Sequence, residues 1–399
     1  MSGYGNIIQH QIYSQPSVEK EEQYPVAFED WEKLAREKLK DGPFWYVAGG
    51  AGSGETMKAN RDAFTKQKIQ PRMLNDVDER DLSVTLFGQT FQTPILLAPV
   101  GVQSIVHDQG ELASAKAASN MNIPYITSTA SSYTMEEIAD VIGEGPRWYQ
   151  LYWGKDEDVT ASMLHRAKRA GYTALVVTLD TPILGWREKD LEQAYLPFLQ
   201  GIGIANYLSD PMFCSKLEKS PQEDRRAAIE YFFKIFSNAR LTWSDLAFLR
   251  KHWDLPIILK GIIHPRDAEL ALQYGVDGII VSNHGGRQVD GEISTLDALE
   301  SICHVIGGKI PVLLDSGIRR GSDVVKASAL GASAVLLGRP FVYGLAVGGE
   351  EGVKHAIRNI IADTDLTLAL SGRNSIKNLD RSLLSNVPDA QSTVRSESL

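Results

Sequence analysis

Val312-Leu313-Leu314-Asp315-Ser316-Gly317-Ile318-Arg319 and, beginning 34 residues upstream, Gly278-Ile279-Ile280-Val281-Ser282-Asn283-His284-Gly285-Gly286-Arg287 share one plan. A short apolar run breaks into polar residues and glycine and ends on a guanidinium. A run this short, rich in branched side chains and apolar on both faces reads as a strand of a parallel sheet covered by helices. Six more runs fit the pattern: Ile95–Pro99, Ile123–Ser128, Trp148–Leu151, Leu175–Thr178, Ile257–Lys260 and Val335–Leu337. Between runs lie stretches such as Gly110–Asn120, Asp156–Ala170, Pro265–Tyr274 and Gly321–Leu330, whose apolar residues recur at three and four, the helical period. Eight such units predict an α/β protein built as a single (β/α)8 barrel; a doubly wound open sheet usually has fewer strands.

One spacing departs from the repeat. Leu175 and Ile257 are 82 residues apart, and much of the excess lies after the fourth strand. Active sites of such barrels sit at the C-terminal ends of the strands, so residues 188–242 are expected to form a long loop acting as a lid. Phe28–Lys40 reads as an amphipathic helix, and the glycine run Gly49–Gly54 as a flexible turn that fails the dinucleotide pattern G-x-G-x-x-G. The expected organisation is a polar tail over 1–27, the barrel domain over 28–385 and a disordered tail over 386–399.

Composition excludes several classes. With 43% apolar and 23% charged residues, the chain of 399 residues is globular rather than fibrous or disordered. A net charge of −9 gives no general footprint for nucleic acid or an anionic membrane. No apolar window is long enough to span a membrane, no secretory signal is visible, and the cytoplasm is the expected compartment. Cys214 and Cys303 cannot build a disulfide framework or a four-cysteine metal site. The eight histidines are scattered singly, so no metal is expected, and P-loop, zincin and nucleophile-elbow patterns are all absent.

Chemistry is left to the polar residues at strand ends, which share one barrel mouth: Gln150 and Tyr152, Thr178 and Asp180, Lys260, Ser282 to Arg287, Asp315 to Arg319, and Gly338-Arg339. Gly317, Arg319, Gly338 and Arg339 suit a phosphate after the last two strands, where glycines let N–H groups approach and guanidinium forks bind phosphate. Across the mouth, His284 with Asp180 has the makings of a general base and its partner. Arg187 and Arg287 suit an anionic substrate, most simply a carboxylate. On these residues alone, a barrel that binds a phosphorylated metabolite without redox chemistry, or a homologue that keeps the fold without catalysis, remains open.

The segments Ser282–Gln288, Leu314–Gly321 and Thr178-Leu179-Asp180-Thr181-Pro182 resemble the signatures of the FMN-dependent L-2-hydroxy-acid oxidising enzymes, from about Phe28 to about Ser385. The resemblance implies FMN as cofactor, a small 2-hydroxy acid and O2 as reactants, and a homotetramer or homo-octamer. It makes His284 the base at the substrate α-carbon and Asp180 its partner, with Tyr46, Arg187 and Arg287 on the carboxylate and Tyr152 on the hydroxyl. For FMN it implies Pro99 and Val100 beside the flavin, Ser128, Gln150 and Thr178 on the ring, and Lys260 at the N1–O2 edge. Asp315, Gly317, Arg319, Gly338 and Arg339 would surround ribityl and phosphate. A fixed ammonium at Lys260 also makes independent sense beside a reduced, negatively charged flavin. Gly185-Trp186-Arg187, Pro197-Phe198-Leu199, Asn206-Tyr207, Asp210-Pro211 and Gly101 are similar to the lactate 2-monooxygenase branch, in which pyruvate is retained and converted to acetate, CO2 and water; that reaction is the expectation, with an oxidase releasing the 2-oxo acid and H2O2 as the alternative. On that reading Gly101 leaves room between flavin and product. Ala130, where glycolate oxidase has a tryptophan, implies a wider pocket.

Overall fold

In the computed structural model, which describes residues 3–14 and 24–386, the eight apolar runs all become strands. They are Ile95–Leu97 (β1), Tyr125–Ser128 (β2), Arg147–Tyr152 (β3), Leu175–Thr178 (β4), Ile257–Lys260 (β5), Gly278–Val281 (β6), Val312–Leu314 (β7) and Ala334–Leu337 (β8). They pair in parallel in chain order and close through β8 and β1 into a barrel. Alternation along each strand explains why both faces are apolar. Leu96, Ile126, Val176, Ile258, Ile280 and Leu313 form a cluster separate from that of their neighbours Ile95, Leu97, Leu175, Val177, Ile257 and Leu259, which pack with the helical shell.

A hairpin of Val84–Leu86 and Gln89–Phe91 joins the inner cluster. Its Phe87 ring meets Trp148 edge-on at 5.5 Å, near the start of β3. A Cβ at Gly278, the first residue of β6, would lie 2.8 Å from the same ring. The hairpin therefore plugs the N-terminal end of the barrel, and the polar strand ends gather at the other.

Three expectations need correction. The segment read as a polar tail contains a helix, Tyr4–Tyr13, which buries Ile8. It is fastened to the C-terminal helical segment Arg339–Leu370, which is broken at Gly348-Gly349: Gly5 N–H donates to Asp365 at 2.8 Å, and Arg80, paired with Asp365 at 2.7 Å, also donates to Asn6. The polar sequence hid this because the helix is held by hydrogen bonds more than by an apolar stripe. At the other end, Asn386 closes a short strand, Leu384–Asn386, paired antiparallel with Gln67–Ile69; residues 387–399 lie outside the described residues.

The third correction concerns residues 188–242, which are largely helical rather than a loop. Glu188–Glu192, Ala205–Leu208, Pro211–Ser215 and Arg225–Phe236 are α-helices, and Pro197–Gln200 is a 3-10 turn. Phe198, Tyr207, Phe213, Phe232 and Phe236 build an aromatic cluster within it. Asn206, fully buried, accepts from Met135 N–H at 2.8 Å and donates to the Thr129 carbonyl at 3.1 Å. Buried Arg166 pairs with Asp210 at 3.1 Å and with Glu136 at 2.9 Å, bolting this segment to the barrel. Helices of four or five residues are too short to show a period in sequence. Arg225–Phe236 does show one, in Ala228, Phe232 and Ile235.

Arg80 and Asp365 are 6% and 4% exposed, so removing one charge strands the other. Asp365→Ala is expected to cost about 3–5 kcal/mol, the scale for breaking a buried pair. Denaturant melts would measure the loss, and amide exchange should show the helix Tyr4–Tyr13 opening first.

Candidate active site

The C-terminal mouth of the barrel holds a cavity of about 370 Å³. Its wall includes Pro99, Val100, Tyr46, Tyr152, Arg187, Lys260, His284 and Arg287, together with Asp315, Gly317, Arg319, Gly338 and Arg339. Four of the expected site residues stand behind that surface. Ser128 donates to Gln150 Oε1 at 2.9 Å, Thr178 sits in register with Lys260, and Asp180 lies beneath His284.

The centre is an ionic group at the tips of β4, β5 and β6. Asp180 Oδ1 is 2.7 Å from His284 Nδ1, and its Oδ2 accepts from Lys260 Nζ at 3.2 Å. Lys260 also donates to Ser282 Oγ at 2.8 Å, and Asp315 stands 3.6 Å from it. Burial alone would raise the Asp180 carboxyl, but Lys260 and His284 outweigh it and hold it at about 2. Asp180 is therefore ionised, so Nδ1 of His284 must carry the proton that it shares with it. Burial lowers the His284 imidazole below the usual value, with Asp180 pulling the other way and Lys260 adding to the fall. A neutral imidazole beside a carboxylate faces the cavity.

Backbone geometry sets these groups. His284 and Ser316 both occupy the left-handed region, at φ of 57° and 72°. The N–H of His284 donates to Ser282 Oγ at 3.1 Å, and that of Gly285 to Ser316 Oγ at 2.9 Å. Such conformations cost energy and persist only where neighbours over-determine them. Gly261, at φ 104°, is required: a Cβ there would lie 2.8 Å from that of Asp180.

The arginines are held by backbone carbonyls. Arg287 donates to Tyr46 O and Gly49 O and lies over the Tyr46 ring, its guanidinium 5.1 Å from the centroid. Arg187 donates to Arg287 O at 3.0 Å and to Gln288 Oε1 at 2.9 Å. Burial, then the charge of Arg287, lowers Arg187 to about 10. Arg339 donates to Val47 O, Gly285 O and Gly49 O. Burial, with Arg339 nearby, lowers Arg319 to about 9, and neither of these two has a salt-bridge partner among the described residues. Two crowded pairs of guanidiniums at one cavity call for two anionic groups.

The glycine run is also corrected: it is pinned rather than flexible. Ala51 N–H donates to Gly286 O at 2.8 Å and Gly52 N–H to Trp186 O at 2.9 Å, while Gly49 O receives both Arg287 and Arg339. Gln288 escaped the sequence reading as well. Its amide donates to Asp180 O at 2.8 Å and Ile183 O at 3.0 Å, linking β4 to Arg187. Its sequence signal was its place at the end of the Ser282–Gln288 segment, with no role attached. Phe198, Phe233 and Phe236 line the cavity from the helical insertion, which was expected to cover the site, although no periodicity singled out Phe233 or Phe236. At Gly101 a Cβ would stand 2.4 Å from Ala130 O, so the missing side chain lets two loops meet and does not itself open space for a product.

Comparison with known proteins agrees with this geometry. The model for FMN-dependent dehydrogenase matches residues 35–386. An L-lactate oxidase of Lysinibacillus sphaericus is 46% identical over 356 residues, covering 89% of this chain and 92% of that protein. An FMN-dependent alpha-hydroxy acid dehydrogenase of Penicillium citrinum is also 46% identical, over 89% of both. The crystal structure of mandelate oxidase superposes with a TM-score of 0.80 at 36% identity, over 91% of this chain and 98% of that one. The chain belongs to the FMN-dependent dehydrogenase family.

The residues present fit FMN. Gln150 Nε2 is a fully buried donor with no acceptor among the described residues. Lys260 is a fixed cation, which Asp180 and Asp315 raise against the effect of burial. Arg319 and Arg339 offer guanidiniums that lack an anion. The donors suit flavin acceptors and the arginines a phosphate.

A titration of His284 by imidazole NMR should give a pKa below 6.5 in the wild type. Asp180→Asn should move it lower still, because the carboxylate is what stabilises the imidazolium. Lys260→Met should move it up. Shifts of the opposite sign would contradict the arrangement.

Proposed function

We propose that this chain oxidises an L-2-hydroxy acid with an apolar side chain, L-lactate being the smallest, to the 2-oxo acid and passes the electrons to O2. The observation that carries this reading is the His284–Asp180–Lys260 group facing the same cavity as Arg187 and Arg287. FMN, when bound, accepts two electrons from the substrate α-carbon. Arg187, Arg287 and Tyr46 bind the substrate carboxylate and turn the single α-hydrogen toward His284. His284, with Nδ1–H donated to Asp180, takes a proton at Nε2, and Asp180 stabilises the imidazolium that results. Burial pushes Tyr152 up to about 12, so its hydroxyl stays protonated and donates to the substrate oxygen. Pro99 and Val100 would present backbone to bound FMN, Ser128, Gln150 and Thr178 would support its ring from behind the cavity surface, Lys260 would supply positive charge to the reduced cofactor, and Asp315, Gly317, Arg319, Gly338 and Arg339 would hold ribityl and phosphate.

The substrate side chain faces an apolar wall on this reading. Tyr152 meets Phe236 at 5.3 Å, Phe198 meets Phe236 at 5.6 Å, and Ala130 stands beside them on the cavity. Burying one methylene is worth roughly 0.8 kcal/mol, or about fourfold. kcat/KM should therefore climb by about that factor per added methylene from L-lactate upward, until the wall is reached. A flat or falling series would refute the apolar assignment.

His284→Ala should keep FMN but slow flavin bleaching by L-lactate by about 10² to 10⁴, the usual contribution of a positioned base. Stopped-flow absorbance without oxygen would show it, and unchanged bleaching would remove His284 from its role.

A second reading is favoured by the helical insertion that walls the cavity. If pyruvate leaves more slowly than oxygen reacts, the hydrogen peroxide formed from O2 beside it attacks its keto carbon and gives acetate, CO2 and water, which is lactate 2-monooxygenation. The two outcomes are a race, so about 1.4 kcal/mol in the release barrier changes their ratio tenfold. Product analysis in air separates them. Acetate with CO2 would mark the monooxygenase, whereas stoichiometric hydrogen peroxide with pyruvate would mark the oxidase.

A further inference from the structure

Behind the cavity wall, the carboxylate of Glu111 is completely buried in the first turn of the helix Gly110–Asn120. Its Oε1 accepts two backbone N–H groups from different loops: Gln103, after β1, and Ser132, after β2, each at 3.0 Å. Its Oε2 has no partner among the described residues. Burial holds the acid at about 6 against the pull of those N–H groups. Glu111 does not line the cavity itself; it lies behind the residues that do.

What the two loops carry gives the carboxylate its meaning. Gln103 Nε2 donates to Val100 O at 2.8 Å and to Tyr125 Oη at 3.0 Å, while its Oε1 accepts from Ser114 at 2.7 Å. Val102 N–H donates to Ala130 O at 2.9 Å, and the two loops come so close that only glycine fits at 101. Val102 lies at φ 51°, a left-handed conformation that a β-branched residue adopts only under constraint. Val100, Gly101, Val102, Gln103 and Ala130 all line the cavity.

We infer that Glu111 is a positioning residue, a buried clip whose one oxygen joins the loop after β1 to the loop after β2 and thereby sets the backbone wall of the FMN pocket. The inference rests on the cofactor placement proposed above. What matters is an acceptor at the right reach, not the charge. Glutamine keeps that acceptor, aspartate is one methylene short of it, and alanine lacks it.

The test compares Glu111→Gln, Glu111→Asp and Glu111→Ala with the wild type as holoenzymes. FMN affinity, the visible flavin spectrum and the separate effects on KM and kcat would be measured, with amide exchange over residues 99–106 and 128–133 in the absence of substrate. Glu111→Ala should weaken FMN about tenfold, shift the flavin band, raise KM more than it lowers kcat, and speed exchange at both loops together, because a buried and a part-buried N–H lose their shared acceptor. Glu111→Gln should restore FMN affinity to within about twofold, and Glu111→Asp should fall between. A folded Glu111→Ala protein with wild-type FMN affinity, spectrum and exchange overturns the inference. So does Glu111→Asp outperforming Glu111→Gln, a ranking that decides the matter even if the alanine variant does not fold. A wild-type protein that binds no FMN would instead defeat the underlying reading of the site.

Discussion

Asp180 is the ion on which the site depends. A carboxylate taken out of water is costly unless paired. Here it faces two groups at once, His284 at 2.7 Å and Lys260 at 3.2 Å. The pairing holds Asp180 ionised, fixes the tautomer of His284 and keeps an ammonium inside the barrel. It can form only where three strand tips converge, since the residues come from β4, β5 and β6. Around it the loops are bent to suit: His284 and Ser316 are left-handed, and Gly261 yields the space that a side chain would deny to Asp180.

A second level of order comes from backbone carbonyls. Arg287 and Arg339 share the Gly49 carbonyl, and Arg187 reaches the carbonyl of Arg287. Backbone acceptors orient a guanidinium without neutralising it. A carboxylate partner would orient it equally well but would offset its charge, and of these three arginines only Arg187 has one nearby among the described residues, Asp190 at 3.9 Å. The glycine run at 49–54 thus serves the site by bringing main chain close to the arginines, which a search for nucleotide motifs could not reveal.

Much of this was legible in the chain. Runs such as Ile257–Lys260 and Leu175–Thr178 were bounded correctly because a strand covered on both sides must be apolar throughout, and its end is marked where polarity returns. The same logic located Asp180, Lys260, His284, Asp315, Arg319 and Arg339, since a polar residue at the tip of a buried strand serves no core. Legibility failed wherever a residue's meaning lay in a partner distant along the chain. The helix Tyr4–Tyr13 depends on Asp365, the insertion on Arg166 and Asn206, and the loops after β1 and β2 on Glu111.

By itself, then, the sequence determined the number and order of the β/α units and the residues ending each strand, because periodicity and burial act locally along the chain. Tertiary structure alone decided that Asp180 bonds Lys260 as well as His284, that Gln288 ties β4 to Arg187, and which side chains of the insertion, Phe198 and Phe236 among them, wall the cavity. Those relations are distances between segments up to about a hundred residues apart, and only closure of the barrel makes them short.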